Sequence, residues 1–206
     1  MKINKNVQAI LFILLYMWAF SLWSKPIQNS PLPYGEVDAS SHFAVADYTL
    51  KADSSIIALP HYIDQRYGED NAYKNHVLWY PPPIHTNYAI TAFLAGNTNE
   101  GIFIANTIFS SLILISVFFL IRSLFGFLPA ILSAFLLTFS IRDIMIYLWG
   151  QWPERMGFAF LPIILYCFYK YVEAYKKHEK KNYYLYLMGI FLATNLYIHP
   201  MTFFHS

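Results

Sequence analysis

The sequence predicts an all-α integral membrane protein with about five transmembrane helices and one long outer loop that holds short helices. Three observations predict it. Apolar residues make up 57% of the 206 positions and charged residues only 13%, about half the share of a soluble domain. The charges are unevenly spread and leave long runs with almost none, as expected where lipid is the solvent. Lysine and arginine gather in alternate connectors, the pattern that orients spans with their basic ends toward the cytoplasm. A net charge of +2 is too small for a nucleic-acid footprint. Cys167 stands alone, which rules out a disulfide framework and a cysteine-based metal site.

The chain opens on a short basic segment with Lys2 and Lys5, followed by an uncharged first span at 7–23. Ala19 and Ser21 also fit a cleavable signal. The length of the run and the anchors Tyr16, Trp18 and Trp23 favour a retained span. Residues 24–100 form the outer loop, which carries most of the acids. Pro26, Pro31 and Pro33 hold its start extended. Asp38 then suits the N-cap or first turn of a helix at 39–52, on which Asp38 and His42 share a face. The 56–67 stretch is ambiguous, 68–71 is a turn, and the proline run at 79–83 is extended. A helix at 84–95 is too short to cross a bilayer and belongs at its interface.

Four more spans follow, at 101–122, 127–149, 156–173 and 183–200. Arg142-Asp143 interrupts the third and Pro162 lies inside the fourth. With a cytoplasmic N-terminus, the inner side holds Lys2, Lys5, Arg122, Lys170, Lys176, Lys177, Lys180 and Lys181. The outer side receives the acidic loop, the 149–155 connection and His199. This places a multi-pass protein in the cell membrane with residues 24–100 outside. The chain reads as the N-terminal portion of a longer protein.

The candidate chemistry starts at Gly35-Glu-Val-Asp-Ala-Ser-Ser-His42. In extended chain, Glu36 and Asp38 point to one side, where both can reach one hard cation, Mg2+ or Mn2+, or serve as a general base. A solvated loop with Asp38 capping its helix is the plainer alternative. His42 can equally bond its own helix start, and the histidines lack the spacing of a zinc site. Arg142, Asp143, Glu154 and Arg155 are ionisable groups at span margins, which suggests a functional or water-filled site or a local Arg142–Asp143 pair. Trp79, Tyr80, Trp149 and Trp152 suit sugar stacking or an interfacial belt.

The segments Asp38-Ala-Ser-Ser-His42, Trp79-Tyr-Pro-Pro-Pro-Ile-His85, 89–96, Gly150-Gln-Trp-Pro-Glu-Arg-Met-Gly157 and His199-Pro200 carry a resemblance. The chain resembles the N-terminal half of GT-C superfamily membrane glycosyltransferases, such as oligosaccharyltransferases and protein O-mannosyltransferases. It is also similar to related archaeal and bacterial multi-spanning proteins of the 6-pyruvoyl-tetrahydropterin-synthase-related type. The resemblance implies transfer of a glycosyl group from a polyprenyl-phosphate-linked donor to an acceptor on the outer face. It implies Asp38 and Glu36 as catalytic acids, and Glu36, Asp38 and Glu154 as ligands of a divalent metal. Substrate contacts would come from His42, Tyr80, His85, Arg142, Asp143, Arg155 and His199. The alternatives are a non-catalytic membrane protein whose outer loop is a binding or assembly module, and a transporter. A transporter would place its charges near the midplane of broken spans, whereas here they gather at one margin.

Overall fold

The computed structural model describes residues 4–25, 38–51 and 83–204. Among the described residues, all regular structure is helical: α1 (Lys5–Trp23), α2 (Ala39–Lys51), α3 (Pro83–Ala95), α4 (Thr98–Phe125), α5 (Phe127–Thr138), α6 (Ile141–Leu148), α7 (Trp152–Lys176), α8 (Tyr183–Ile198) and α9 (Pro200–Phe203). Glu36, Tyr80 and the expected 56–67 segment lie outside the described residues.

Helices α1, α4 and α7 are long and apolar enough to cross a membrane. Helices α5 and α6 together are long and apolar enough for one more crossing, with a 41° bend at the break between them, the geometry of a broken span or of a re-entrant loop. Helix α8 is apolar but shorter, 16 residues or about 24 Å at the helical rise. The bend divides what the sequence suggests is a single third span. Ser140 starts α6 afresh, its Oγ accepting the Asp143 N–H at 3.4 Å, so a backbone donor freed by the break finds a partner, as lipid surroundings require. Pro162 leaves α7 continuous.

The bundle has two distinct ends. At one, Arg122 Nη2 donates to Gln8 Oε1 at 3.0 Å, Phe118 meets Phe127 and Tyr166 meets Tyr184. At the other, Thr107 Oγ1 and Tyr147 Oη donate to the Trp23 carbonyl at 3.4 and 3.3 Å. The crossings therefore alternate in direction. The first end carries Lys5, Arg122, Lys170, Lys176, Lys177, Lys180 and Lys181; the second carries Asp38, Asp47, Glu100, Asp143 and Glu154.

Helix α4 is the hub, packing against α1, α2, α3, α5 and α7. Ile10, Leu14 and Met17 of α1 and Leu128, Leu132 and Leu136 of α5 are exposed, the apolar exterior expected of helices facing lipid. Lipid removes most hydrophobic drive between helices, so contact relies on small residues that let backbones approach. At Gly101 an added Cβ would lie 2.1 Å from the Ala92 Cα of α3. Gly101→Leu should therefore separate α3 from α4 and lower stability by at least about 1–3 kcal/mol, the range for overpacking. Gly189→Leu, where a Cβ meets nothing, should leave the thermal unfolding midpoint in detergent unchanged. Equal midpoints for the two variants would contradict this packing.

Candidate functional site

The acidic end is built around one turn. Gly150, between α6 and α7, has φ +81°, a left-handed conformation that side chains disfavour. A Cβ there would also lie 2.2 Å from the Ala39 nitrogen. Glycine thus lets the start of α2 rest on the turn, where the Asp38 N–H donates to the Trp149 carbonyl at 3.2 Å. Half-buried Asp38 sits at this seat. Glu154, also half-buried, lies just beyond it in the first turn of α7, where the helix dipole favours a carboxylate. Two acids far apart in sequence therefore flank one turn. Among the described residues, no three His, Cys, Asp or Glu side chains form a group able to hold a metal ion. A metal set of Glu36, Asp38 and Glu154 depends on Glu36, outside those residues.

Behind the seat lies a buried polar layer. His42 Nδ1 and His85 Nε2 are 2.9 Å apart, and the two residues are 2% and 4% exposed. Tyr88 Oη donates to Asn106 Oδ1 at 2.7 Å. Burial raises the Tyr88 phenol well above its ordinary pKa, so it remains a donor. Trp152 stands among them, 6.2 Å ring to ring from both His42 and Tyr88, with its Nε1 donating to the Tyr147 carbonyl at 2.9 Å. It is a core residue and not part of an interfacial belt. Trp23, expected as an interfacial anchor, is likewise buried.

The basic residues divide. Arg155 is 1% exposed; its guanidinium lies 4.2 Å from the Trp23 ring centroid and 5.7 Å from that of Tyr147. Its Nη1 donates to the Asp143 carbonyl and lies 3.9 Å from the Asp143 carboxylate. Asp143 thus pairs with Arg155, across helices, and not with its neighbour Arg142. Arg142 is exposed, with its guanidinium 5.1 Å from the Phe158 ring centroid. His199 is buried; its Nδ1 accepts the Thr202 N–H at 3.3 Å and so caps α9. Thr202 in turn donates to Asn195 Oδ1 at 2.9 Å, and Gly157 of α7 leaves room for both side chains.

Sequence reasoning missed Gly150, Tyr88 and Asn106. Gly150 stands in the sequence only as the first residue of the segment Gly150-Gln-Trp-Pro-Glu-Arg-Met-Gly157, and Asn106 only as an amide inside an uncharged span. A groove of about 680 Å³ between the ends of α2 and α3 and the start of α4 lies at the far end of α2 from Asp38.

A sequence model of the dolichyl-phosphate-mannose-protein mannosyltransferase family matches residues 81–204, more than half of the chain. The chain belongs to this family. The mannosyltransferase family is of the GT-C type, so the protein is a membrane protein of glycosyltransferase type. Its match takes in α3 through α9, including the Gly150 turn and Glu154, and begins after α2. Neither a curated protein nor a solved structure matches the chain.

In this mannosyltransferase-family chain, Asp143→Asn would leave the Arg155 charge buried without its acid. Breaking a buried pair in this way costs roughly 3–5 kcal/mol; the lower end is expected, because the separation is 3.9 Å. Arg142→Gln, on an exposed side chain, should cost little. Thermal unfolding of both variants in detergent checks the order, and a reversed order would show that Arg155 does not depend on Asp143.

Proposed function

We propose that the chain forms the reacting end of a glycosyltransferase that moves a sugar from a polyprenyl-phosphate donor to an acceptor on the outer face of the cell membrane. The family's name suggests mannose as the sugar and a dolichyl phosphate as the carrier. The observation that carries this reading is the seat of α2 on the Gly150 turn. It sets a first-loop acid beside the start of α7, within the segment that matches the family.

In this reading Asp38 is the general base. It takes the proton of the acceptor hydroxyl as that oxygen attacks the anomeric carbon, and the carbon–oxygen bond to the lipid phosphate breaks. The phosphate departs on its lipid with the bonding electron pair. Exposed Arg142 is suited to meet the phosphate, since a guanidinium offers a planar set of donors and keeps its charge. Arg155, enclosed by Trp23, Tyr147 and Asp143, holds the α6–α7 junction in place. The exposed Ile90, Phe93 and Leu94 of α3 suit contact with the donor's lipid tail. A divalent cation would lower the charge on the leaving phosphate and would take Glu36, Asp38 and Glu154 as ligands.

The charge asymmetry of the two ends supports this orientation, since lysine-rich ends of membrane bundles remain in the cytoplasm. Placing cysteine at Asn97 or His178 in a Cys167→Ser background tests it. An impermeant maleimide applied to intact cells should label the first variant and not the second; the reverse pattern would invert the topology. Asp38→Asn in the full native chain, assayed with a polyprenyl-phosphate mannose donor, should lower turnover by about 10²–10⁴-fold, the usual contribution of a positioned base. Undiminished transfer would remove Asp38 from the mechanism.

A further inference from the structure

We propose that His42 and His85 act together as positioning residues for Asp38, a role that rests on the reading of Asp38 as the reacting carboxylate. Helix α2 has 13 residues, a length at which an isolated helix is marginal in water even with a favourable sequence. Its placement therefore comes from tertiary contacts. Polar contacts run along its length. The Asp38 N–H meets the Trp149 carbonyl at the start, the imidazole pair holds the middle, and Thr98 Oγ1 donates to Asp47 Oδ1 at 2.7 Å near the end.

The middle contact governs the rotation of α2 about its own axis. His42 follows Asp38 by four residues, and its N–H donates to the Asp38 carbonyl at 3.0 Å. The two side chains therefore share a face one helical turn apart. Turning α2 enough to part His42 Nδ1 from His85 Nε2 swings Asp38 away from the Gly150 turn. The bond also has chemical direction, because one ring nitrogen must carry hydrogen while the other is bare. It is enclosed by Trp152 and by the edge of Tyr88, whose ring is 6.3 Å from that of His85. A leucine in place of either histidine keeps apolar bulk and loses the bond. Asparagine at 42 and glutamine at 85 place an amide near Nδ1 and near Nε2 respectively, so the pair can re-form without an imidazole.

The test uses the full native chain in detergent or nanodiscs, comparing His85→Leu with the double variant His42→Asn, His85→Gln. Amide hydrogen exchange of residues 39–51 reads the placement of α2, and steady-state kinetics with a polyprenyl-phosphate mannose donor read its consequence. His85→Leu should speed α2 exchange about tenfold, equivalent to about 1.4 kcal/mol. It should also lower kcat by about ten- to a hundredfold with donor KM unchanged, as expected when a reacting group is slightly misplaced. The double variant should recover most of both losses.

Exchange of α2 at the wild-type rate in His85→Leu would overturn the proposal, as would a loss confined to KM, which would make the histidines substrate contacts. If His85→Leu does not fold, the double variant decides. Wild-type exchange without recovered turnover would show that the imidazoles themselves take part, and would also overturn it. Failure of the Asp38 reading is separate: it appears as full transfer by Asp38→Asn, whatever α2 exchange shows in the histidine variants.

Discussion

A guanidinium buried among helices that face lipid must find partners, because water is not there to supply them. Arg155 finds them on two other elements. Trp23 comes from the end of α1, Tyr147 and Asp143 come from α6, and Arg155 itself opens α7. The enclosure fixes the angle at which α6 meets α7 and so holds the Gly150 turn. Helix α2 then stands on that turn. Asp38 and Arg155 are thus linked through one junction: the Asp38 N–H meets the Trp149 carbonyl just past α6, and Arg155 meets Tyr147 and Asp143 within α6.

The same end shows how polar groups are distributed when the solvent is apolar. The His42–His85 pair, the Tyr88–Asn106 bond and the Asn195–Thr202 bond are all side chain to side chain and all buried. They lie between helices that also approach closely at Gly101, Gly150 and Gly157. Small residues supply proximity and hydrogen bonds supply register. At the opposite end the charges are exposed or half-buried and locally paired, as in Lys170 and Lys177 with Glu173 and Lys181 with Glu179. There the Glu179 carboxyl is held below its usual range by the hydrogen bond from Lys181.

Much of this could be read before any coordinates. The helix at Asp38, the short helix before α4 and the change of character at Arg142-Asp143 all follow from local signals. What local signals misjudged were the tryptophans. Trp152 and Trp23 look like interfacial anchors because the interface and the interior both accept an aromatic ring with one polar atom. Only the partners of their indole nitrogens, Tyr147 and Thr138, separate the two cases. Similarly, Arg142 and Asp143 are adjacent and invite pairing, yet Asp143 turns to Arg155. Neighbouring residues on a helix do not face each other, and a pair across helices satisfies a deeper charge.

By itself the sequence determined the membrane class, the helical content and the separation of basic from acidic ends. Each follows from composition and periodicity, which depend on the solvent and on the near neighbours of a residue. The tertiary structure alone decided which acid meets which turn, which arginine is enclosed and which histidines share a bond. Those outcomes depend on how closely two backbones approach, and a glycine at position 150 reveals that only when Ala39 is placed against it.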